Sequence, residues 1–280
     1  AGLPLVEGRE NPAATTTYGV GEMIGQALQL GCKSIVLGIG GSCTNDGGAG
    51  MAAALGVVFR DAHGREFVPV GGTISQIADY DASAAVKRLA GVEITAMCDV
   101  GSPMHGPLGA AHVFAPQKGA SPADVELLDA GLRHLDGVIT RKLGRSVADI
   151  PGAGAAGAMG AGVIAFLGGA LKSGVDTVLD VVGFDAHLAD ADLVFTGEGR
   201  IDGQSSRGKV VSGVARRAKT AGVPVVALGG SIAPDADALY ALGVTAMFGI
   251  NRTAGTFEQV RGLAKENFRE TLLAVLRILN

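Results

Sequence analysis

Two acids and three cations crowd one short stretch, Gly197-Glu198-Gly199-Arg200-Ile201-Asp202-Gly203-Gln204-Ser205-Ser206-Arg207-Gly208-Lys209, directly after an apolar run. Glu198 and Asp202 suit Mg²⁺, which takes one or two carboxylates and fills its remaining positions with phosphate oxygens and water. A helix that opens here, flanked by Arg207 and Lys209, offers unpaired N–H groups to an anion. Residues 203–209 spell GxxxxGK, but Val210 stands where a P-loop needs the hydroxyl that ligates Mg²⁺, and Gly203 lies well past the end of the strand expected over 192–196. A P-loop is therefore rejected. A structural alternative stays open, with an Asp capping the helix and Glu198 paired with Arg200.

A second glycine-rich loop, Gly38-Ile39-Gly40-Gly41-Ser42-Cys43-Thr44-Asn45-Asp46-Gly47-Gly48, also follows an apolar run. Cys43 occupies the third glycine position of GxGxxG, so a dinucleotide fingerprint is weak. What remains is a nest of N–H groups with Ser42, Thr44, Asn45 and Asp46, suited to a carboxylate or phosphate, or simply a tight turn. Asp99 ends another apolar run, where a carboxylate is costly unless paired or solvated; it is a candidate base or metal ligand. Lys118, just ahead of a helix start, is either an anion partner or a solvated surface lysine. Residues 152–160 repeat glycine at short intervals and serve either as a ligand cradle or for close packing. His105 and His112 have no zinc spacing and read as ordinary polar residues. Cys43 and Cys98 have no evident His partner and GxSxG is absent, so nucleophilic hydrolysis is unsupported.

Residues 34–39, 92–97, 192–196, 224–228 and 244–250 are short apolar runs that read as strands buried on both faces. Helical spacing covers 209–220, closed by Gly222 and Pro224, and about 256–279. Residues 57–68 form a hairpin around His63-Gly64, and 122–143 a helix capped by Ser121 with Pro122 at its first position. From residue 192 onward strand and helix alternate, the mark of a doubly wound α/β sheet with ligands at the strand carboxyl ends. Two α/β domains are expected, 1–185 and 186–280, parting near 182–190.

Length and composition fit this. The 280 residues suffice for two cores, and 45 glycines without a collagen period supply tight strand-to-helix turns. A net charge of −4 with no basic block argues against nucleic acid. No apolar run is long enough to span a bilayer, and three cysteines without a CxxC pair fit a reducing, cytoplasmic setting.

The strings GIGGSCTNDGGAGMAAALGVVF, CDVGSPMHGPLGAAHVFAPQKGAS, GAGAAGAMGAG and VFTGEGRIDGQSSRGKV, in that order, closely resemble the bacterial glycerate kinase family. The resemblance implies ATP-dependent phosphorylation of D-glycerate, most often to 2-phosphoglycerate. It also implies two α/β domains, one a doubly wound (Rossmann/flavodoxin-like) parallel sheet, with the active site in the cleft between them. Family chains begin with a further strand–loop–helix unit, so about the first quarter is expected to be missing, including part of the doubly wound domain; that leaves an unpaired sheet edge.

On this resemblance Asp99 is the favoured base, with Asp202 second. Glu198 and Asp202 are the Mg²⁺ candidates. Arg200, Lys209 and Lys118 are candidates for the phosphoryl group or the substrate carboxylate. Gly40, Gly41, Ser42, Thr44, Asp46, Gly197, Gly199 and Ser205 are the binding candidates. ATP and Mg²⁺ are the expected cofactors; a homodimer is left open. A kinase of another small hydroxy acid, such as tartronate, and a non-catalytic anion-binding protein are the alternatives.

Overall fold

The computed structural model describes residues 1–206 and 208–279; Arg207, one of the cations read as flanking an anion site, lies outside the described residues. The chain divides into two compact units, Ala1–Gly174 and Val175–Asn280, each with its own core.

The first unit runs α1 (Tyr18–Gln29), β1 (Ser34–Gly38), α2 (Ala49–Ala54), β2 (Val58–Arg60), β3 (Glu66–Phe67), β4 (Asp79–Asp81), α3 (Ser83–Arg88), β5 (Glu93–Met97), α4 (Ala110–Phe114), α5 (Pro122–Leu143), α6 (Ala155–Leu167) and β6 (Ala170–Lys172). A parallel sheet has the order β1-β5-β6, and a small antiparallel sheet the order β3-β2-β4. The expected hairpin is present. Asp61 Oδ1 accepts the N–H groups of His63 at 2.8 Å and Arg65 at 3.0 Å, and Gly64 takes the left-handed conformation the turn needs. Helix α5 has the bounds expected from its pattern. Ser121 accepts the Asp124 N–H while Asp124 accepts the Ser121 N–H, a reciprocal cap, and left-handed Gly144 closes the other end.

The core of this unit gathers Ile24, Met51, Leu55, Phe59, Leu135 and Phe166. Phe166 meets Phe59 and Tyr80 edge-on, at centroid distances of 5.4 and 5.2 Å. Each buried ring removes enough apolar surface to contribute about 2–3 kcal/mol. Burial on both strand faces holds for β5, where Ile94, Thr95 and Ala96 are buried, but not for β1. β5 has a partner on each side, whereas β1 pairs with β5 alone among the described residues, and its Val36 is 41% exposed.

The second unit comprises α7 (Gly174–Val181), α8 (Phe184–Leu188), β7 (Val194–Ile201), α9 (Val210–Ala221), β8 (Val225–Ile232), α10 (Ala238–Leu242), β9 (Ala246–Gly249), α11 (Phe257–Arg261) and α12 (Ala264–Leu279). Its sheet is parallel throughout, in the order β7-β8-β9. Central β8 shows why the run Val225–Leu228 does not alternate. Ala227 packs with Val211 and Ala215 of α9 and Leu239 of α10, while Val226 and Leu228 pack with Val275 and Leu272 of α12. Helices therefore cover both faces, as a doubly wound sheet requires. Arg217 of α9 fastens α7 and α8, bonding Asp180 Oδ1 at 2.7 Å, Asp185 Oδ2 at 3.2 Å and the Asp176 carbonyl at 2.9 Å. The helix expected over 256–279 is two helices that part at Gly262, the poorest helix former in that stretch.

Candidate active site

Parallel pairing brings the second glycine-rich loop and Asp99 to the same end of one sheet. Gly38 ends β1 in register with Met97, which ends β5. The Gly40–Asp46 loop and Asp99 thus leave the carboxyl ends of neighbouring strands, where α/β sheets hold ligands. Gly40 and Gly41 are exposed and Ser42 is partly buried; from Cys43 onward the chain is buried. The loop is backed by the first residues of the chain: the Gly41 carbonyl accepts the Leu3 N–H and the Ala1 carbonyl accepts the Cys43 N–H, both at 2.8 Å.

Asp46 is a correction to the binding candidates. Its carboxylate is fully buried and accepts hydrogen bonds from the Thr17 N–H, the Thr17 hydroxyl and the N–H groups of Gly48 and Gly50. Burial pushes this carboxyl above the usual carboxylate range, against the pull of those donors. Asp46 shapes the loop from inside. The N–H nest is also smaller than expected, because the N–H groups of Cys43, Gly47 and Gly48 are taken by Ala1, Gly157 and Asp46. Thr44 and Asn45 are buried as well, and Thr44 Oγ1 and both polar atoms of the Asn45 side chain have no partner among the described residues. Nothing in the sequence marks Thr17, because a threonine before a helix carries no signal that it will meet an acid so far along the chain.

Lys118 is not the solvated lysine that its sequence allowed. It is 2% exposed, and its Nζ donates to Ser42 Oγ at 2.8 Å and to the Thr44 carbonyl at 2.7 Å. Burial lowers its pKa to about 8, with the nearby Cys43 and Asp46 pulling the other way. A buried ammonium thus props the loop from behind.

Asp99 is exposed, and its Oδ1 accepts the Gly174 N–H at 2.8 Å. The glycine run 152–160 packs rather than cradles: a Cβ on left-handed Gly157 would strike the Thr44 carbonyl and Asn45 Cα. α6 therefore sits hard against the loop and fixes its depth. His105 and His112 face Asp136 at 3.5 Å and Asp129 at 4.0 Å on α5, in keeping with their reading as ordinary polar residues.

In the second unit, Ser205 joins the two nominated acids. Its buried hydroxyl donates to Glu198 Oε2 at 2.9 Å, and its Oγ accepts the Asp202 N–H at 3.3 Å. Asp202 Oδ1 accepts the Gln204 N–H at 3.0 Å, and Oδ2 lies 3.3 Å from Arg200 Nε. The structural alternative therefore fails in its details: Arg200 pairs with Asp202 and not with Glu198, and Asp202 caps the Gly203–Ser206 turn while Lys209 stands at the N-cap of α9. Glu198 Oε1 is buried without a partner among the described residues. Gly197, Glu198, Gly199 and Arg200 line a cavity of about 1060 Å³ whose other walls include Phe195, Leu228, Ile250, Asn251 and Phe268. Those apolar walls carry no signal in the sequence, because strand-end apolar residues look like core.

Among the described residues no three His, Cys, Asp or Glu side chains gather to hold a metal. Two carboxylates beside a polyphosphate satisfy Mg²⁺ without such a cluster, and the orphaned Glu198 Oε1 fits that use. No helix among the described residues is long and apolar enough to cross a membrane.

The chain matches the model of the Glycerate kinase family over residues 1–280. It is 47% identical over 263 residues to the glycerate kinase of Bacillus cereus, covering 94% of this chain and 69% of that protein. It is 45% identical over 268 residues to the glycerate 2-kinase of Escherichia coli, covering 95% of this chain and 70% of that one. A crystal structure from Salmonella typhimurium LT2, described as a candidate glycerate kinase 2, superposes with a TM-score of 0.83 at 43% identity, covering all of this chain and 73% of that one.

Proposed function

The chain belongs to the glycerate kinase family, a family of phosphotransferases, and on that footing we propose that it moves the terminal phosphoryl group of ATP to the 2-hydroxyl of D-glycerate, with Mg²⁺ beside the donor. A kinase draws on an ATP-type donor. The 2-position follows the glycerate 2-kinase relative.

Phosphoryl transfer needs an acceptor hydroxyl in line, a group to take its proton, and charge to offset the phosphate oxygens. In this reading the first unit takes the acceptor. Gly40, Gly41 and Ser42 present donors to the glycerate carboxylate, and Thr44, buried beneath them, supplies the carbonyl on which Lys118 rests. Asp99, at the neighbouring strand end, orients the hydroxyl and accepts its proton; Asp202 is the second candidate for that role. The second unit takes the donor, with the nucleotide in the cavity along Gly197 and Gly199. Glu198 and Asp202 would hold Mg²⁺, which when bound offsets charge on the phosphate oxygens. Ser205 fixes the Glu198 carboxylate, and Arg200 and Lys209 add positive charge near the transferred group. That both sets of residues serve one reaction is part of the proposal.

One observation carries the reading: an exposed glycine loop ending in Ser42, propped by a buried lysine, at the same end of one sheet as Asp99. The test is ADP release from ATP and Mg²⁺ with D-glycerate, tartronate or no acceptor. Release that depends on D-glycerate supports the proposal; faster release with tartronate moves it to another hydroxy acid.

A further inference from the structure

The Lys118–Ser42 contact has a direction. A protonated lysine has three N–H donors and no lone pair, so in the 2.8 Å bond Ser42 Oγ can only accept. The Ser42 proton must then point to some other acceptor, and among the described residues none in the chain takes it. Ser42 follows the exposed Gly40 and Gly41, so the side of the loop left for that proton is the solvent side.

Lys118 is well held for this task. Its second bond, to the Thr44 carbonyl at 2.7 Å, and its burial fix where the ammonium lies. Among the described residues no carboxylate contacts it to cancel its charge. The titratable groups that act on it are Cys43 and Asp46, and the Asp46 oxygens are already committed to Thr17, Gly48 and Gly50. Glu10 packs its Cβ toward Gly119, but its carboxylate turns to the Gly8 N–H. An outward hydroxyl proton over an uncancelled positive charge suits an anion and disfavours a neutral alcohol.

We propose that Lys118 is a positioning residue that commits Ser42 to donate its hydroxyl proton outward, making Ser42 Oγ the contact for the carboxylate of the hydroxy-acid acceptor. The choice of ligand rests on the glycerate reading; the commitment of Ser42 does not.

A pH dependence follows. Burial brings the Lys118 ammonium down to about 8. Once it is neutral, the amine has a lone pair that can accept the Ser42 proton, and the hydroxyl is no longer bound to donate outward. D-Glycerate keeps its single charge through this range, so its own titration does not contribute.

The experiment is calorimetric titration of D-glycerate, and separately of sulfate, into the wild-type chain and Ser42→Ala, at about pH 7 and about pH 9. In Ser42→Ala the Lys118 ammonium loses one hydrogen bond but keeps the one to the Thr44 carbonyl; unchanged circular dichroism and melting temperature check that the variant keeps the fold. At the lower pH, Ser42→Ala should weaken D-glycerate binding roughly tenfold or more. Wild-type affinity should fall on going to the higher pH by clearly more than that of the variant, which feels only the loss of the distant lysine charge. Equal affinity of the two proteins at the lower pH would overturn the proposal. So would a parallel fall in both, which would mean that the lysine charge acts directly and not through Ser42. Wild-type protein that ignores D-glycerate yet binds sulfate in a Ser42- and pH-dependent way would keep this inference and remove the glycerate reading. Binding of neither anion removes both.

Discussion

Asp46 accepts two hydrogen bonds from Thr17, from its backbone N–H at 2.7 Å and from its hydroxyl at 2.9 Å. The same hydroxyl accepts the Met51 N–H at 2.8 Å. One buried carboxylate thus ties the start of α1 to the loop after β1 and to the start of α2. Asp46→Ala would strand several buried donors, and leaving such groups unpaired costs about 3 kcal/mol or more in total. Urea unfolding should show that loss; a change below about 1 kcal/mol would mean that water replaces the carboxylate and that the knot is not what holds the loop.

Lys118 sets a stability profile of its own. Its pKa is about 8 in the fold and about 10.4 in an unfolded chain. Between those values the unfolded state binds more protons, so stability contributed by this group rises with pH across the window and is level below it. The full difference is on the order of 3 kcal/mol. The comparison to make is between wild type and Lys118→Met at each pH, which cancels the groups common to both. The wild-type chain should gain on the variant from about pH 8 to about pH 10; a constant gap would place the Lys118 pKa outside the window.

A kink in the first turn of α6 stores strain. Ala156, Gly157 and Ala158 are all left-handed, with φ of 55°, 68° and 66°, and a left-handed conformation costs an alanine about 1 kcal/mol. Ala156→Gly should therefore be neutral to stabilising by up to about 1 kcal/mol, despite the greater chain entropy of glycine. Gly157→Ala should destabilise by more than that, because the added methyl meets the Thr44 carbonyl. Thermal melts of the pair decide it, and a milder effect at position 157 than at 156 would contradict the packing described.

The sequence disclosed these elements unevenly. Long periodic segments were readable: α5 and its Ser121 cap, α9 with Gly222 beyond it, and the strands of the second unit. Strands β4 and β6 were not, because three residues are too few to show a period and their pairing is decided by register. Exposure of β1 was hidden for another reason, since apolar content does not say how many neighbours a strand has. In the site, residue types were legible while directions were not. Lys118 looked like any lysine before a helix, and only the folded loop shows that it points inward to Ser42 and Thr44. Asp46 looked like part of an anion nest, and the fold turns it away to meet Thr17. Glu198 and Asp202 were legible as a pair, but not the Ser205 hydroxyl that links them.

Glu198 tests the donor side. Glu198→Gln keeps the size and an acceptor for the Ser205 hydroxyl but removes the charge. It should cut turnover by about tenfold or more and raise the Mg²⁺ concentration needed for half-maximal rate, because electrostatic support of the phosphate is lost. Circular dichroism should be unchanged. Unaltered Mg²⁺ dependence would take Glu198 off the metal side and leave Asp202.

The most direct test is phosphorus NMR of ATP, Mg²⁺ and D-glycerate with the chain and with its Asp99→Asn variant. The variant can still accept the Gly174 N–H, so its fold should hold. The wild-type chain should produce ADP together with the phosphomonoester resonance of 2-phosphoglycerate, and Asp99→Asn should slow this by about a hundredfold or more. ADP formed with no phosphoglycerate, a phosphate on the 3-hydroxyl, or full turnover in Asp99→Asn would contradict the proposal, respectively, at the acceptor, the position of transfer and the base.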